Sequence, residues 1–277
     1  MVDVALVKGS RELKTVYRAI ELAGGFKEIA EDYSRALIKV NFISIKTYET
    51  GVTTDPLVVE ELIHKAQEAF DEVLVVESDA SMTNADKACE ATGMKKVCDR
   101  NEVKFLNLSR EKDSVKLKVP NSETLKTIKV PRITLTSAII NAAKLKTHRA
   151  TGVSLGMKNM FGLLPEKMKF KYHLKNMEKV IVDLNTVLAP KFTMIDGFYA
   201  LEGPGPTSGT PVKMDLLIAG RDVVAVDATA CRVMGIDPDK IYHIKQAYEK
   251  GFGEMLEANI NVVGSKLDRV KRQFKRS

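Results

Sequence analysis

The sequence predicts an α/β protein of two lobes: an N-terminal, doubly wound, mostly parallel sheet with an inserted β-hairpin, then a second α/β lobe. Short apolar strands alternate with helical patterns up to residue 110, which is typical of a parallel sheet covered on both faces. Two short alternating stretches, residues 115–119 and 127–130, predict the hairpin. The predicted divisions are 1–110 for the first lobe, 111–135 for the hairpin, 136–265 for the second lobe and 266–277 for a frayed basic tail.

Apolar periodicity predicts the individual elements. Short apolar runs indicate strands, and apolar positions that recur every three or four residues indicate helices. The predicted strands are residues 2–7, 36–42, 72–77, 102–108, 192–195, 214–219 and 260–263. The predicted helices are residues 11–30, 56–64, 84–98, 171–188, 223–234 and 237–250. Residues 137–143 fit either a buried strand or a short helix, and the breaker-rich residues 202–211 predict a loop.

Composition narrows the class of function. The 277 residues are 44% hydrophobic and contain no apolar run of the ~18–20 residues that a membrane span needs, so we expect a cytoplasmic protein without membrane contact. Three cysteines, at 89, 98 and 231, lack the spacing of a zinc or iron–sulfur site, and Cys89 and Cys98 are expected in helical core or surface positions. Aromatic residues are 6% and Trp is absent, so nucleic acid is a poor match for the net charge of +7. An anionic small molecule fits better.

The positive charge is concentrated between residues 144 and 179. This segment holds nine Lys and Arg residues against two Glu, together with His148 and His173. Lys144, Lys146 and Arg149 form a predicted anion clamp. If residues 147–164 are helical, Lys158 lies on a polar stripe with Thr151 and Ser154. The alternative for Lys158 is a solvated side chain. Gly152 and Gly156 indicate the close approach of a neighbouring strand or of a ligand.

The two histidines bracket Lys158 and could meet it in space across two helices. A trio of His148, Lys158 and His173 in one cleft would suit acid–base chemistry on an anion. The alternative is that each histidine is structural and lies on a separate surface.

Two loops add candidate ligands. Thr53, Thr54 and Asp55 stand where a strand gives way to a helix that opens with Pro56, so their amides could bind a phosphate, sulfate or carboxylate, or the side chains could only cap the helix. Asp196 and Glu202 follow a strand and are candidates for metal or hydroxyl contacts, or for a solvated turn. Asp222 fits a helix cap.

These segments together resemble the domain of unknown function 362 family over nearly the whole chain. The matching motifs are at residues 39–41, 53–56, 144–148, 152–159, 162, 172–173, 196–197, 202–206 and 226–227. Family members are often fused to a ferredoxin-like iron–sulfur module. This chain lacks the Cys-x-x-Cys-x-x-Cys run, so the resemblance implies no iron–sulfur cluster here and a separate ferredoxin-like partner for any redox role.

The order His148, Lys158, His173 is also similar to the core of the nickel-pincer lactate racemase family. That resemblance implies a Lys that holds a pincer nucleotide covalently, a His that ligates nickel and another His for proton or hydride transfer. The family uses a further catalytic His upstream, and here the earlier one is His64, inside a predicted helix.

We therefore predict an enzyme with an anionic substrate or cofactor in an inter-lobe cleft. Lys158, His148 and His173 would carry the chemistry, which includes a racemase-like or redox reaction and a metal ion or nickel-pincer-like nucleotide as cofactor. The predicted anion ligands are Thr53, Thr54, Asp55, Lys144, Lys146, Arg149, Ser154 and Asn159, and the predicted metal ligands are His173, Asp196 and Glu202. The alternative is a non-catalytic module that binds nucleic acid or an iron–sulfur redox partner.

Overall fold

One nine-stranded sheet runs through the molecule, and a two-stranded hairpin packs beside it. The computed structural model describes residues 1–167, 169, 172 and 174–276. Within this part, the strands are β1 (Val2–Lys8), β2 (Arg35–Lys39), β3 (Glu72–Glu77), β4 (Lys104–Asn107), β5 (Ser114–Lys118), β6 (Thr127–Pro131), β7 (Ala138–His148), β8 (Gly152–Ser154), β9 (Phe192–Glu202), β10 (Thr210–Gly220) and β11 (Ile260–Gly264). The sheet order is β11-β1-β10-β9-β7-β2-β3-β4, with β8 paired to β7.

The strand directions place a crevice at one edge of the sheet. Strands β9, β7, β2, β3 and β4 are parallel, so their carboxyl ends lie at the same edge. From β2 the chain proceeds outward to β3 and β4, whereas from β7 it proceeds in the opposite direction to β9. The strand order therefore reverses between β2 and β7, and open α/β sheets bind ligands at such a switch point.

Helices cover both faces of the sheet. They are α1 (Leu13–Leu22), α2 (Lys27–Asp32), α3 (Pro56–Gln67), α4 (Ala85–Ala91), α5 (Met94–Arg100), α6 (Gly156–Asn159), α7 (Met177–Val187), α8 (Val223–Val233), α9 (Tyr242–Glu249) and α10 (Leu267–Val270). Short 3-10 turns occupy Tyr48–Thr50, Leu108–Arg110, Arg132–Thr134, Met160–Leu163, Pro238–Lys240 and Glu257–Asn259. One core lies between the sheet and α1, α3, α4 and α5, and the other lies under α6, α7, α8 and α9. The α/β class is thus confirmed.

Side-chain caps explain where the helices begin. The Asp55 carboxylate accepts from Leu57 N–H at the start of α3. Pro56 is the first helical residue, and because it has no N–H group it leaves no backbone donor unsatisfied there. Asp222 caps α8 in the same way through Val224 and Ala225 N–H. The cap interpretation of both aspartates is confirmed.

Two predicted helices are interrupted by glycine. The helix predicted over residues 11–30 ends at Leu22, before Gly24 and Gly25, and a second helix begins at Lys27. The helix predicted over residues 84–98 divides at Gly93, whose φ of +82° ends α4 and opens α5. Cys89 and Cys98 lie on these two helices, and they and Cys231 are buried, free thiols.

The helix considered for residues 147–164 is wrong. Strand β7 continues to His148, the chain turns back through Gly152 at a φ of +69°, and β8 pairs antiparallel with the end of β7. Only Gly156–Asn159 is α-helical in this stretch. The apolar spacing was misleading because residues on a strand, a short helix and a 3-10 turn all face one core.

The inserted hairpin is confirmed as β5 and β6, which pair antiparallel. A buried carboxylate anchors it to the second half of the chain: Asp183 on α7 accepts from the N–H groups of Glu123, Thr124 and Leu125, at 2.7 to 2.8 Å. Both predicted lobes supply strands to one continuous sheet.

The C-terminal tail is docked, and the prediction that it is frayed is wrong. Phe274 is 2% exposed, because its ring enters the core beneath α8. Backbone hydrogen bonds hold the tail on both sides, from Phe274 N–H to Met234 O and from Gly203 N–H to Lys275 O.

Candidate functional site

Five lysine side chains gather where β2, β3 and β7 end, at the switch point of the sheet. We call this group the lysine cluster, and its members are Lys39, Lys144, Lys146, Lys158 and Lys169. Four of them are buried and Lys158 is half-buried. Lysine is seldom buried without a partner, so the balance of charge decides what this cluster can do.

Lys39 ends β2 and has a carboxylate partner. Its Nζ lies 2.9 Å from Glu77 Oε2 at the end of β3 and donates to Val40 O at 2.6 Å. Burial lowers the pKa of Lys39, and the Glu77 charge opposes that shift. Gly162 fits over the pair because a Cβ there would lie 2.3 Å from Lys39 Nζ.

Lys144 also has a carboxylate partner. Its Nζ lies 2.7 Å from Asp196 Oδ2, and both side chains are fully buried. Asp196 additionally accepts from the backbone N–H groups of Asp55 and Phe198. Arg11 binds Asp55 with two hydrogen bonds, so the charges of these four side chains cancel.

Lys146 has no carboxylate partner among the described residues. Alternation along β7 places it on the same side of the strand as Lys144, and it is 1% exposed. Its Nζ donates to Asn41 Oδ1 at 2.6 Å and to Val52 O at 3.0 Å. Burial lowers the pKa of Lys146 well below its ordinary value, and the positive charges of Lys158 and Lys144 lower it further.

Three asparagines tie these strand ends together. Asn41 Nδ2 donates to Asn159 Oδ1, and Asn159 Nδ2 donates to Asn141 Oδ1, at 2.7 and 2.8 Å. Asn141 in turn donates to Gly156 O. Asn159, a predicted anion ligand, thus holds β2 and β7 at a fixed separation, and its amide oxygen and nitrogen are both bound to protein.

Lys158 projects from α6 and keeps some contact with solvent. Burial lowers its pKa to about 8. Asp227 fixes this short helix because its carboxylate accepts from Gly156 and Met157 N–H, at 2.7 and 2.9 Å. A Cβ on Gly156 would lie 2.7 Å from Asp227 Oδ1, so the close approach indicated by this glycine is to protein.

Lys169 completes the cluster. Its Nζ donates to Ser78 Oγ at 2.6 Å, and burial lowers its pKa to about 8. Its Nζ and that of Lys158 lie 5.6 and 5.8 Å from the centre of the Phe161 ring, so both cations are near the same aromatic side chain.

The charge balance of the cluster is therefore positive. Glu77 pairs with Lys39 and Asp196 pairs with Lys144. Among the residues that the structure describes, Lys146, Lys158 and Lys169 have no carboxylate within ion-pair distance. Like charges in a low-dielectric site repel strongly, and an anion that enters would relieve that repulsion.

The turn predicted to bind an anion through its amides is already occupied. Thr54 N–H donates to Asn41 O and Asp55 N–H donates to Asp196 Oδ2, so a carboxylate of the protein takes the predicted position of the external anion. The hydroxyls are used as well, since Thr53 Oγ1 donates to Lys46 O and Thr54 Oγ1 to Ala142 O. This turn is a structural element that supports the cluster.

The predicted clamp of Lys144, Lys146 and Arg149 is divided. Arg149 is exposed and lines a separate pocket with His148, whereas the two lysines point into the cluster. Ser154 lies opposite Lys146 on β8 and is 5% exposed. His173 lies outside the described residues, so convergence of the trio with His148 and Lys158 stays a prediction.

Asp196 and Glu202, two of the three predicted metal ligands, already have partners within the protein, and the metal site, which includes His173 outside the described residues, stays a prediction. Asp196 is bound to Lys144, and Glu202 accepts from Lys275 N–H and faces Arg272 at 3.7 Å. In the described part of the chain, no three His, Cys, Asp or Glu side chains converge to hold a metal ion. The nickel-pincer cofactor stays a prediction.

Lys39, Lys169, Glu77 and His243 were not predicted as site residues from the sequence, although residue 39 lies in one of the motifs that match the family. Lys39 directly follows three apolar residues of a strand, and this position indicates that the lysine lies at the end of that strand. His243 is fully buried on α9, with neither ring nitrogen hydrogen-bonded to a described residue and Nδ1 3.8 Å from Glu178 Oε1. Burial lowers the pKa of His243, the facing Glu178 carboxylate opposes that shift, and the charge of Lys158 adds to it.

Comparison with known proteins gives a family and a relative. The model of a family described as a domain of unknown function (DUF362) matches residues 36–232. A thylakoid-associated protein of Synechocystis sp. is 25% identical over 236 residues, which cover 83% of this chain and 72% of the relative. No solved structure matches. None of the helices in the described part of the chain combines the length and the hydropathy that a membrane span requires.

Proposed function

Because the chain belongs to the DUF362 family, whose description states no activity, we propose a function from the site itself. The protein is an enzyme that binds a small anionic substrate, a carboxylate or a phosphate, at the switch point of the sheet and transfers a proton on it with lysine amines. The observation that carries this proposal is that three buried or half-buried lysines of the cluster, Lys146, Lys158 and Lys169, have no carboxylate of a described residue within ion-pair distance.

The position of the charge favours a small ligand over a nucleic acid. Lys144 and Lys146 are each 1% exposed and Lys169 is 6% exposed, so they cannot contact a phosphate backbone that lies across the surface. Half-buried Lys158 is the member that a ligand would meet first. A directed site of this kind is expected to depend on salt less steeply than a broad electrostatic surface does.

The lowered pKa values of Lys158 and Lys169 allow proton transfer near neutral pH. With a pKa of about 8, Lys158 holds roughly a tenth of its amine unprotonated at pH 7, which is enough to act as a general base. A bound anion raises the pKa of every nearby lysine, so anion binding and proton uptake are linked. The same coupling allows the cluster to return the proton when the charge of the ligand changes.

We expect calorimetric titration with inorganic phosphate and with malonate to detect binding that Lys146→Met and Lys158→Met each weaken at least tenfold. Each substitution removes one lysine amine without removing the partner of a carboxylate. Lys96→Met, at an exposed lysine on α5, is the matched control and should bind like the parent protein. If all three variants bind equally, the ligand is not held by the lysine cluster.

The affinity should fall as the pH rises through about 8, because Lys158 and Lys169 then lose their charge in the free protein. Titration at pH 7 and about 9.5, in buffers of different ionisation enthalpy, should show uptake of protons on binding near the upper limit. An affinity that is constant across this range, with no proton uptake, would contradict the role of these two amines.

Proton transfer itself is tested by isotope exchange. Small 2-hydroxy carboxylates incubated with the protein in D₂O should acquire deuterium at the carbon next to the carboxylate, and Lys158→Met should abolish this exchange. Binding without exchange for every acid tested would favour a non-catalytic binding module over an enzyme.

A further inference from the structure

A second concentration of positive charge lies beyond the end of β7, in a cavity of about 240 Å³. We call it the His148 pocket. Its polar lining residues are His148, Arg149, Thr151, Glu178, Lys240 and Arg276. The lysine cluster contributes no side chain to this lining, so the pocket is a feature separate from the site described above.

The pocket carries two arginines that no carboxylate side chain of a described residue neutralises. Among the described residues, neither Arg149 nor Arg276 has an acidic side chain within 4.0 Å, and Lys240 reaches Asp237 only at 4.0 Å. Glu178 is the one acidic residue in the lining, and it faces His243 at 3.8 Å. Three cations against one carboxylate leave the described lining with an excess of positive charge.

The backbones that carry the two arginines are held in place. Arg149 N–H donates to Gly205 O at 3.1 Å, and Gly203 N–H donates to Lys275 O at 2.8 Å, beside Arg276. Gly152 has a φ of +69°, and a Cβ there would lie 2.7 Å from Ile241 Cδ1 and 3.5 Å from Arg276 Nη2. The chain thus brings two guanidinium groups from distant parts of the sequence to one cavity before any ligand arrives.

His148 adds an oriented ring to this lining. Ala150 and Thr151 N–H both donate to its Nδ1, at 3.1 and 3.2 Å, so the neutral ring carries its proton on Nε2. The ring is 7% exposed, and its environment therefore reports on what enters the pocket.

We propose that the His148 pocket is a second anion site, which binds a phosphate or carboxylate group through the guanidinium groups of Arg149 and Arg276. Guanidinium groups bind such oxyanions with paired hydrogen bonds. The cavity is smaller than the roughly 300–1,000 Å³ of sites for drug-sized ligands, so it accepts a small oxyanion or the charged end of a larger molecule. The proposal does not depend on the activity of the lysine cluster.

The test is an NMR titration that follows the imidazole resonances of His148, assigned with His148→Gln. Separate additions of inorganic phosphate and of malonate distinguish the two ligand chemistries. We expect millimolar or tighter binding of at least one anion in the parent protein. The double variant Arg149→Gln and Arg276→Gln should weaken that binding at least tenfold.

Two control variants show whether the weakened binding is specific to the arginines of the His148 pocket. Arg269→Gln removes an exposed arginine from the same tail and should leave the titration unchanged. Lys158→Met should also leave it unchanged, which separates this pocket from the lysine cluster. If neither anion shifts the His148 resonances, or if Arg269→Gln and the double variant weaken binding equally, the pocket is not an anion site.

Discussion

Replacing Lys144 with Met is expected to lower the free energy of unfolding by about 3–5 kcal/mol. The Lys144 ammonium and the Asp196 carboxylate are fully buried 2.7 Å apart, so the substitution leaves an uncompensated charge in the core. The remaining donors to Asp196, the N–H groups of Asp55 and Phe198, cannot supply a full positive charge. Urea unfolding monitored by circular dichroism measures the loss.

Lys146→Met is the matched comparison, because Lys146 lies two residues further along the same strand and is equally buried. Its removal takes away a desolvated amine but leaves Asn41 Oδ1 and Val52 O without their donor. These effects oppose each other, so we expect a change below about 1.5 kcal/mol in either direction. Equal losses in the two variants would mean that the pairing of Lys144 with Asp196 contributes nothing specific.

Gly51→Ala is expected to destabilise the protein by about 2–5 kcal/mol. Gly51 has a φ of +73°, which costs an L-residue about 1–2 kcal/mol. A Cβ at this position would also lie 2.2 Å from Ala200 O, a backbone atom of β9 that cannot rotate away, which adds about 1–3 kcal/mol of overpacking. The adjacent Val52 O accepts from Lys146, so anion affinity should fall as well.

Gly93→Ala isolates the conformational part of this effect, without the contact with Ala200. Gly93 has a similar φ of +82°, but nothing lies within 4 Å of the position of its Cβ. We expect it to cost only the conformational term of about 1–2 kcal/mol in the same thermal and urea unfolding experiments. A loss as large as that of Gly51→Ala would show that the contact with Ala200 is relieved by a small backbone shift.

The fold class could be predicted because each local signal agreed with the global arrangement. Strands followed by capped helices indicated the parallel sheet, and Asp55 and Asp222 cap their helices as their positions before Pro56 and Val223 imply. Strand β7 was the difficult element. All eleven of its residues are buried, so the polar alternation that marks a half-exposed strand is absent, and its lysines resemble surface charges.

The composition of the candidate site depends on contacts that periodicity cannot reveal. Lys144 and Asp196 are 52 positions apart, and Lys39 and Glu77 are 38 apart, yet these pairings decide which lysines remain without a carboxylate. Local signals identified Lys146 and Lys158 as candidates but gave no means of separating them from paired Lys144. Asp196, a predicted metal ligand, pairs with Lys144, which is another contact between distant residues that periodicity does not reveal.

The position of β1 has a consequence for how the chain folds. Its neighbours in the sheet are β10 and β11, so residues 2–8 pair with segments more than 200 positions away. Strands β2, β3 and β4 can associate as soon as they and their helices emerge during synthesis, whereas β1 must wait for residues 210–220 and 260–264. Closing so long a loop late makes the completion of the sheet a slow step, during which apolar β1 is open to chaperones and to intermolecular strand pairing.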